Sequence, residues 1–322
     1  MSQGSSSLPR LGLVGTGDWA RRVHAPSAAA SEDVRFVSVY GRDQVALGHM
    51  RSTYGVATFV DYREFLAEVD IVAFAVPPDV QAGLAILAAA SRKHLLLEKP
   101  ATIDPTAAWD IADTLSETRC FSVVSFTHLL RPSATAWVEN ARLSGDWLYA
   151  RSESFARALV DSRNPSFKSL WRREKGALWD TAPHAIAVHC RILGDVVEVT
   201  ASAGTGRLTS LTLLHVSGTL SNVTVTLEAP AALPGGSIFF GTSGAQELPK
   251  CANWESDAKE AHLAALGYLG RAWRGDPSGF APDACFGAHV TSVIDAAERS
   301  IQSGCRERPQ TRPGSFVTQA NR

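Results

Sequence analysis

Apolar and polar residues alternate along this chain in two different rhythms. Through the first third, near-continuous apolar runs at 11–16, 35–41, 70–76, 95–98 and 121–127 are separated by stretches of helical period at 19–30, 44–54, 80–91 and 105–117. Strands that are apolar on both sides must be covered on both faces, so interleaved helices imply a parallel, doubly wound sheet. Beyond that point, runs at 147–155, 196–203, 208–216, 222–228 and 237–240 read as strands without regular crossovers. Several alternate with period two, as in Asn222-Val223-Thr224-Val225-Thr226-Leu227, which buries one sheet face and leaves the other wet. Helical patterns at 133–141, 181–193, 257–272 and 284–302 complete this half. The expected fold is α/β: a dinucleotide-binding domain with a doubly wound parallel sheet at 9–122, then an α+β domain with an open, mostly antiparallel sheet at 123–305. Residues 1–8 and 306–322 are expected to be tails.

Composition narrows the function classes. A chain of 322 residues has room for two cores, and a net charge of −1 with 20% charged residues describes an ordinary soluble surface. Lysines and arginines are scattered, which argues against nucleic acid as a partner. Apolar runs such as 71–76 are strand-sized, far below the ~20 residues of a membrane span. The polar opening residues do not read as a secretion signal, so a cytoplasmic location is expected. The five cysteines at 120, 190, 251, 285 and 305 form no C-x-x-C pair, so neither a disulfide framework nor a metal cage is indicated. No metal is expected.

Three segments carry candidate chemistry. Gly15-Thr16-Gly17-Asp18-Trp19-Ala20 follows the first apolar run and opens a helical stretch. Backbone approaches phosphate closely only where Cβ atoms are absent, and a helix N-terminus supplies N–H groups and positive potential. A nucleotide pyrophosphate is therefore the first ligand to consider, with Gly15, Thr16, Gly17, Asp18 and Trp19 around it. Trp19 either packs beside the cofactor or covers the first helix. In the second segment an apolar strand ends in Glu98-Lys99-Pro100, where ligands of open α/β sheets bind. The alternative is a surface pair before a turn proline. In the third, Asp180 and His184 stand four apart, a spacing that puts both on one helix face and lets a carboxylate orient an imidazole. Asp180 equally suits the N-cap of that helix, with His184 a core residue. His189, about 500° of helical rotation past His184, faces elsewhere and reads as structural.

Cofactor choice is read from the end of the second strand. Gly41 stands where NAD-binding proteins often carry an acid, and Arg42 offers a fork for an extra phosphate, which favours NADP. Asp43 reads as a helix N-cap and, with a strand boundary two residues later, as the ribose acid of an NAD site.

Together these segments resemble the Gfo/Idh/MocA oxidoreductase family. The glycine turn, the Glu-Lys-Pro after the fifth strand and the Asp-x-x-x-His of the second half come in the family's order. Residues 124–132 resemble its interdomain linker, and Trp171-Arg172 to Gly176 its approach to the catalytic helix. The resemblance implies a Rossmann domain and an α+β substrate domain. It also implies hydride transfer between nicotinamide and a sugar-like alcohol or ketone. His184 is then the acid–base group oriented by Asp180, and Lys99 stabilises charge on the reacting oxygen or shares the proton. Pro77, Glu98 and Lys99 join the cofactor contacts. A small carbohydrate-like substrate and a homo-oligomer, dimer or tetramer, are implied as partners. Gln81, Thr127 and Ala187 depart from the family's usual residues and leave room for a non-sugar carbonyl or imine substrate. A nucleotide-sensing protein without turnover is the alternative from another class.

Overall fold

The computed structural model describes residues 7–312 apart from 232, 234 and 252; the expected tails therefore fall partly outside the described residues. Two compact units are formed. The first gathers residues up to Thr102, Thr106–Pro132 and Cys251–Gly287; the second comprises Ile103–Pro105, Ser133–Lys250 and the chain from Ala288 on. This division differs from the single boundary expected at 122, because the segment from Cys251 to Gly287 belongs to the first unit.

In the first unit the elements run β1 (Arg10–Val14), α1 (Ala25–Ala30), β2 (Arg35–Tyr40), α2 (Gln44–Tyr54), β3 (Ala57–Phe59), α3 (Tyr62–Ala67), β4 (Ile71–Phe74), α4 (Pro78–Ala90), β5 (His94–Leu97), α5 (Pro105–Thr118), β6 (Ser122–Val124) and α6 (Thr127–Leu130). The strands are parallel in the order β3-β2-β1-β4-β5-β6. That order is the doubly wound arrangement, with its switch point between β1 and β4. Leu11, Leu13, Ile71, Ala73 and Leu96 are buried in its core.

Three features of this unit were not visible in the periodicity. The strand β3 and helix α3 are too short to show a period. The last apolar run, expected to stay extended to Thr127, narrows to β6 because Thr127 already begins α6. The helix expected at 19–30 opens as a π-turn over Ala20–His24 before α1. Pro26, in the first turn of α1, lacks an N–H and crowds the carbonyl four residues back, so the backbone widens ahead of it. Asp43 caps α2, accepting from the N–H groups of Val45 at 2.9 Å and Ala46 at 3.1 Å.

The second unit contains α7 (Pro132–Ser144), β7 (Trp147–Phe155), α8 (Leu170–Asp180), α9 (Ala182–Leu193), β8 (Val196–Ala203), β9 (Thr209–His215), β10 (Leu220–Thr226), β11 (Gly236–Gly241) and β12 (Gly244–Glu247). Its sheet runs β12-β11-β7-β10-β9-β8. Pairing is antiparallel except between β10 and β7, which run parallel at its centre, so the sheet is mixed though mostly antiparallel. The wholly exposed β12 lacks the alternation that would have marked it as a strand. Helix α10 (Trp254–Trp273) belongs to the first unit, and α11 (Ala284–Ser303) ends in the second. No helix among the described residues is long and apolar enough to cross a membrane.

Candidate active site

The glycine turn sits at the end of β1, beside the switch point. Gly15 has φ of +117°, a conformation that side chains disfavour, and its N–H donates to the Tyr40 carbonyl at 2.9 Å. A Cβ there would lie 2.5 Å from the Ala75 carbonyl oxygen, so glycine is required to pass β1 closely against the end of β4. Gly17 is the opposite case: a Cβ added to it meets nothing within 4 Å. The space in front of Gly17 is open, as an approaching phosphate needs. Asp18 is exposed and ion-paired with Arg22 at 3.2 Å. Thr16 packs by Gly41, where a Cβ would come 3.0 Å from the Thr16 methyl; the close approach leaves little room for an acid at 41. Arg42 and Asp43 are exposed beside it. Pro77 directly precedes α4, and its carbonyl accepts from the Gln81 N–H at 2.9 Å.

The end of β5 is a tightly held loop around the Lys99–Pro100 bond, which is cis. Gln81, fully buried on α4, donates from Nε2 to the carbonyls of Glu98 at 2.9 Å and Ala101 at 2.8 Å. Its Oε1 accepts from the Glu98 N–H at 2.9 Å. The Glu98 carboxylate is held in turn. Its Oε1 accepts from the Trp19 indole N–H at 2.9 Å and from His24 Nε2 at 2.8 Å, with His262 Nε2 3.3 Å away. Burial pushes this carboxyl up, but its contacts with His24 and His262 outweigh that and hold it well below the usual carboxylate range. Burial, helped by His262, lowers His24 to about 4, so the group is a neutral imidazole facing an ionised carboxylate near neutral pH. Lys99 follows, half-buried, its N–H 3.3 Å from Glu98 Oε2.

In the second unit Asp180 and His184 are both buried, but they do not share one helix. Asp180 is the last residue of α8, His184 lies in the first turn of α9, and Thr181 between them is the N-cap. The expectation that Asp180 caps or shares the helix of His184 is thus corrected. Pro183 at the start of α9 favours a fresh helix start, which separates the two. Asp180 pairs with Arg172 Nε at 3.1 Å. The α8 helix is broken at Gly176, whose φ of 67° and ψ of −162° turn the chain toward Asp180. Arg207 braces this break by donating to the carbonyls of Arg173 and Glu174.

His189 is structural, as its offset implied. Its Nε2 lies 2.8 Å from Ser152 Oγ on β7 and its Nδ1 2.9 Å from Ser221 Oγ on β10, pinning α9 to the sheet. Sequence reasoning missed the roles of Gln81, His24 and His262. Gln81 stands out in the sequence only as a departure from the family's usual residue, His24 lies in no recognisable pattern, and His262 comes from a helix 164 positions past Glu98. No spacing rule links such positions; only the return of α10 to the first unit does.

Comparison with known proteins agrees with the fold. The model of an oxidoreductase family with an NAD-binding Rossmann fold, GFO_IDH_MocA, matches residues 9–126. An inositol 2-dehydrogenase of Rhizobium meliloti (strain 1021) is 28% identical over 60% of this chain and 58% of its own. A galactose 1-dehydrogenase of Pseudomonas fluorescens is 36% identical over 31% of this chain and 32% of its own. The matched stretches thus span less than two thirds of either relative. The scyllo-inositol dehydrogenase of Lactobacillus casei, solved with NAD(H) and scyllo-inositol, superposes with a TM-score of 0.80 at 16% identity, covering 94% of this chain and 99% of that one. With its glycine turn and strand order, the stretch 9–126 is similar to the Gfo/Idh/MocA oxidoreductase family.

Proposed function

We propose that this protein is a nicotinamide-dependent dehydrogenase or reductase acting on a sugar-like alcohol or ketone. The observation that carries the reading is the glycine turn: a forced approach at Gly15 and an open cradle at Gly17, at the switch point of a doubly wound sheet. These residues suit a dinucleotide, with Gly15, Thr16, Gly17, Asp18 and Trp19 at the pyrophosphate and Gly41, Arg42, Pro77 and Glu98 along the rest. Bound nicotinamide would supply the hydride chemistry; the protein has to orient the substrate and manage its proton. His184 takes or gives the proton of the reacting hydroxyl, Asp180 sets its orientation, and Lys99 stabilises negative charge developing on that oxygen. The inositol and galactose dehydrogenases among the relatives support a polyol or sugar as the substrate class.

Cofactor preference turns on Arg42. A guanidinium beside a glycine suits the additional phosphate of NADP, whereas the solved relative from Lactobacillus casei carries NAD(H). Tryptophan fluorescence titration with NADPH and NADH side by side tests both levels of the reading. Tighter NADPH binding, lost in Arg42→Ala, is expected. A preference for NADH moves ribose recognition to Asp43. Failure to bind either overturns the dehydrogenase reading. In a polyol screen, Lys99→Ala and His184→Ala are expected still to bind cofactor and to lose roughly 10²–10⁴-fold in turnover. Unchanged cellular activity in both would instead favour a nucleotide-sensing role.

A further inference from the structure

Three donor atoms from distant parts of the first unit meet beside the end of β5: His24 Nε2 from the π-turn, Glu98 Oε1, and His262 Nε2 from α10. Their separations are 2.8 Å (His24–Glu98), 3.0 Å (His24–His262) and 3.3 Å (His262–Glu98). Both histidines are 2% exposed.

The proton inventory of this triangle is short. His262 Nδ1 lies 2.8 Å from the Ala258 carbonyl, to which only an N–H can donate, so in the neutral ring Nε2 presents a lone pair. Glu98 Oε1 is an acceptor. One proton, on His24 Nε2, is therefore all that links the three vertices. Moving that proton to His24 Nδ1, which is buried without a hydrogen-bond partner among the described residues, would leave all three vertex atoms as acceptors with no proton between them.

Such a triangle has the dimensions of a metal face. An ion held at about 2.0–2.1 Å by imidazole and carboxylate keeps neighbouring donors about 2.9 Å apart at right angles and about 3.3 Å apart at the tetrahedral angle. The three measured edges span that interval. We propose that His24, Glu98 and His262 form a binding site for a late first-row divalent metal ion, with Zn²⁺ suiting the two-imidazole, one-carboxylate set. Two imidazoles exclude the hard, oxygen-seeking Mg²⁺ and Ca²⁺. The surrounding shell is of the kind that orients ligands: the Ala258 carbonyl fixes the His262 tautomer and the Trp19 indole N–H supports Glu98 Oε1. Ser125 Oγ, 3.4 Å from His262 Nε2, adds a polar group at the edge of the site. The Glu98 side chain, 15% exposed, gives the ion a way in. Bound there, the ion ties α10 and the π-turn to the end of β5.

The test uses the full chain, stripped with a chelator and titrated with Zn²⁺ by calorimetry and with Co²⁺ by visible absorption. One ion per chain, intense Co²⁺ d–d bands and a raised Tm are expected. His24→Gln and His262→Gln should each weaken binding roughly 100-fold or more. Should either variant fail to fold, Co²⁺-shifted ring N–H signals from two histidines in the NMR spectrum of the unmutated protein give an independent readout. Absence of d–d bands and of any Tm change at millimolar metal overturns the proposal, leaving the triad as a proton-sharing contact. Undiminished binding in both variants overturns it equally. None of these outcomes depends on cofactor binding or turnover.

Discussion

The two units solve the problem of burying histidines in opposite ways. Around Glu98, polar groups converge: the Trp19 indole and His24 donate to one carboxylate oxygen, His262 Nε2 lies 3.3 Å from it, and Gln81 holds the backbone beneath it. Around His189 they form a line. The His215 Nδ1 lies 2.6 Å from the Gly194 carbonyl, His215 Nε2 is 2.8 Å from Ser221 Oγ, and Ser221 meets His189, which meets Ser152. In the line, each ring nitrogen has one partner and each serine bridges two rings or a ring and a strand. The convergent node contains a charge and is redundant; the line is neutral and has no spare partner. A node can therefore lose one donor cheaply, whereas cutting a line orphans groups on both sides.

Acid should strike the line hardest. Burial, with His215 adding to it, lowers His189 to about 3; burial, opposed by the Gly194 carbonyl and aided by His289, lowers His215 to about 4. The unfolded chain protonates both near 6.5, so below that pH it binds more protons than the folded one. Their contribution is complete above pH 6.5 and is lost as the pH falls toward 4 for His215 and toward 3 for His189. Each histidine contributes a slope of roughly 1 kcal/mol per pH unit, so about 3 kcal/mol should disappear between pH 6.5 and 5. Urea midpoints measured across that range check this; a flat profile would contradict a neutral line.

Gln81→Leu should cost about 3 kcal/mol by leaving the Glu98 N–H and the Glu98 and Ala101 carbonyls unpaired. It should also loosen the loop bearing Lys99, seen as faster amide exchange at residues 98–101. Ser221→Ala, which cuts the line at its middle and orphans His189 Nδ1 and His215 Nε2, should cost about 2 kcal/mol in the same unfolding measurement. Trp19→Phe removes one donor from the node and should cost only about 1 kcal/mol, because His24 still holds the carboxylate. If Trp19→Phe proved as damaging as Ser221→Ala, the contrast between node and line would fail.

Much of this architecture was legible before any coordinates. Near-continuous apolar runs separated by helical periods marked five strands of the parallel sheet, and period-two alternation marked most of the second sheet. Gly15 was readable because a positive φ and a close backbone approach leave glycine alone as a choice. Asp43 was readable as a cap because capping is a local event between residues two and three apart. The short β3 and exposed β12 were illegible because they bury too little to impose a pattern.

What the sequence by itself determined is whatever depends on neighbours along the chain: the alternation of elements, the glycine turn, the helix caps, and the presence of Lys99, Asp180 and His184 at element ends. What only tertiary structure decided depends on residues brought together from afar. The break at Gly176 and the fresh start at Pro183 place Asp180 and His184 on separate helices, with Arg172 rather than a helix terminus engaging the carboxylate. The joining of His24, Glu98 and His262 follows from α10 folding back onto the first unit, a packing that buries apolar area wherever Ala261, Ala265, Leu266 and Leu269 find a matching surface. Hydrophobic burial is non-directional and indifferent to sequence distance, so it can assemble a polar cluster that no local spacing announces.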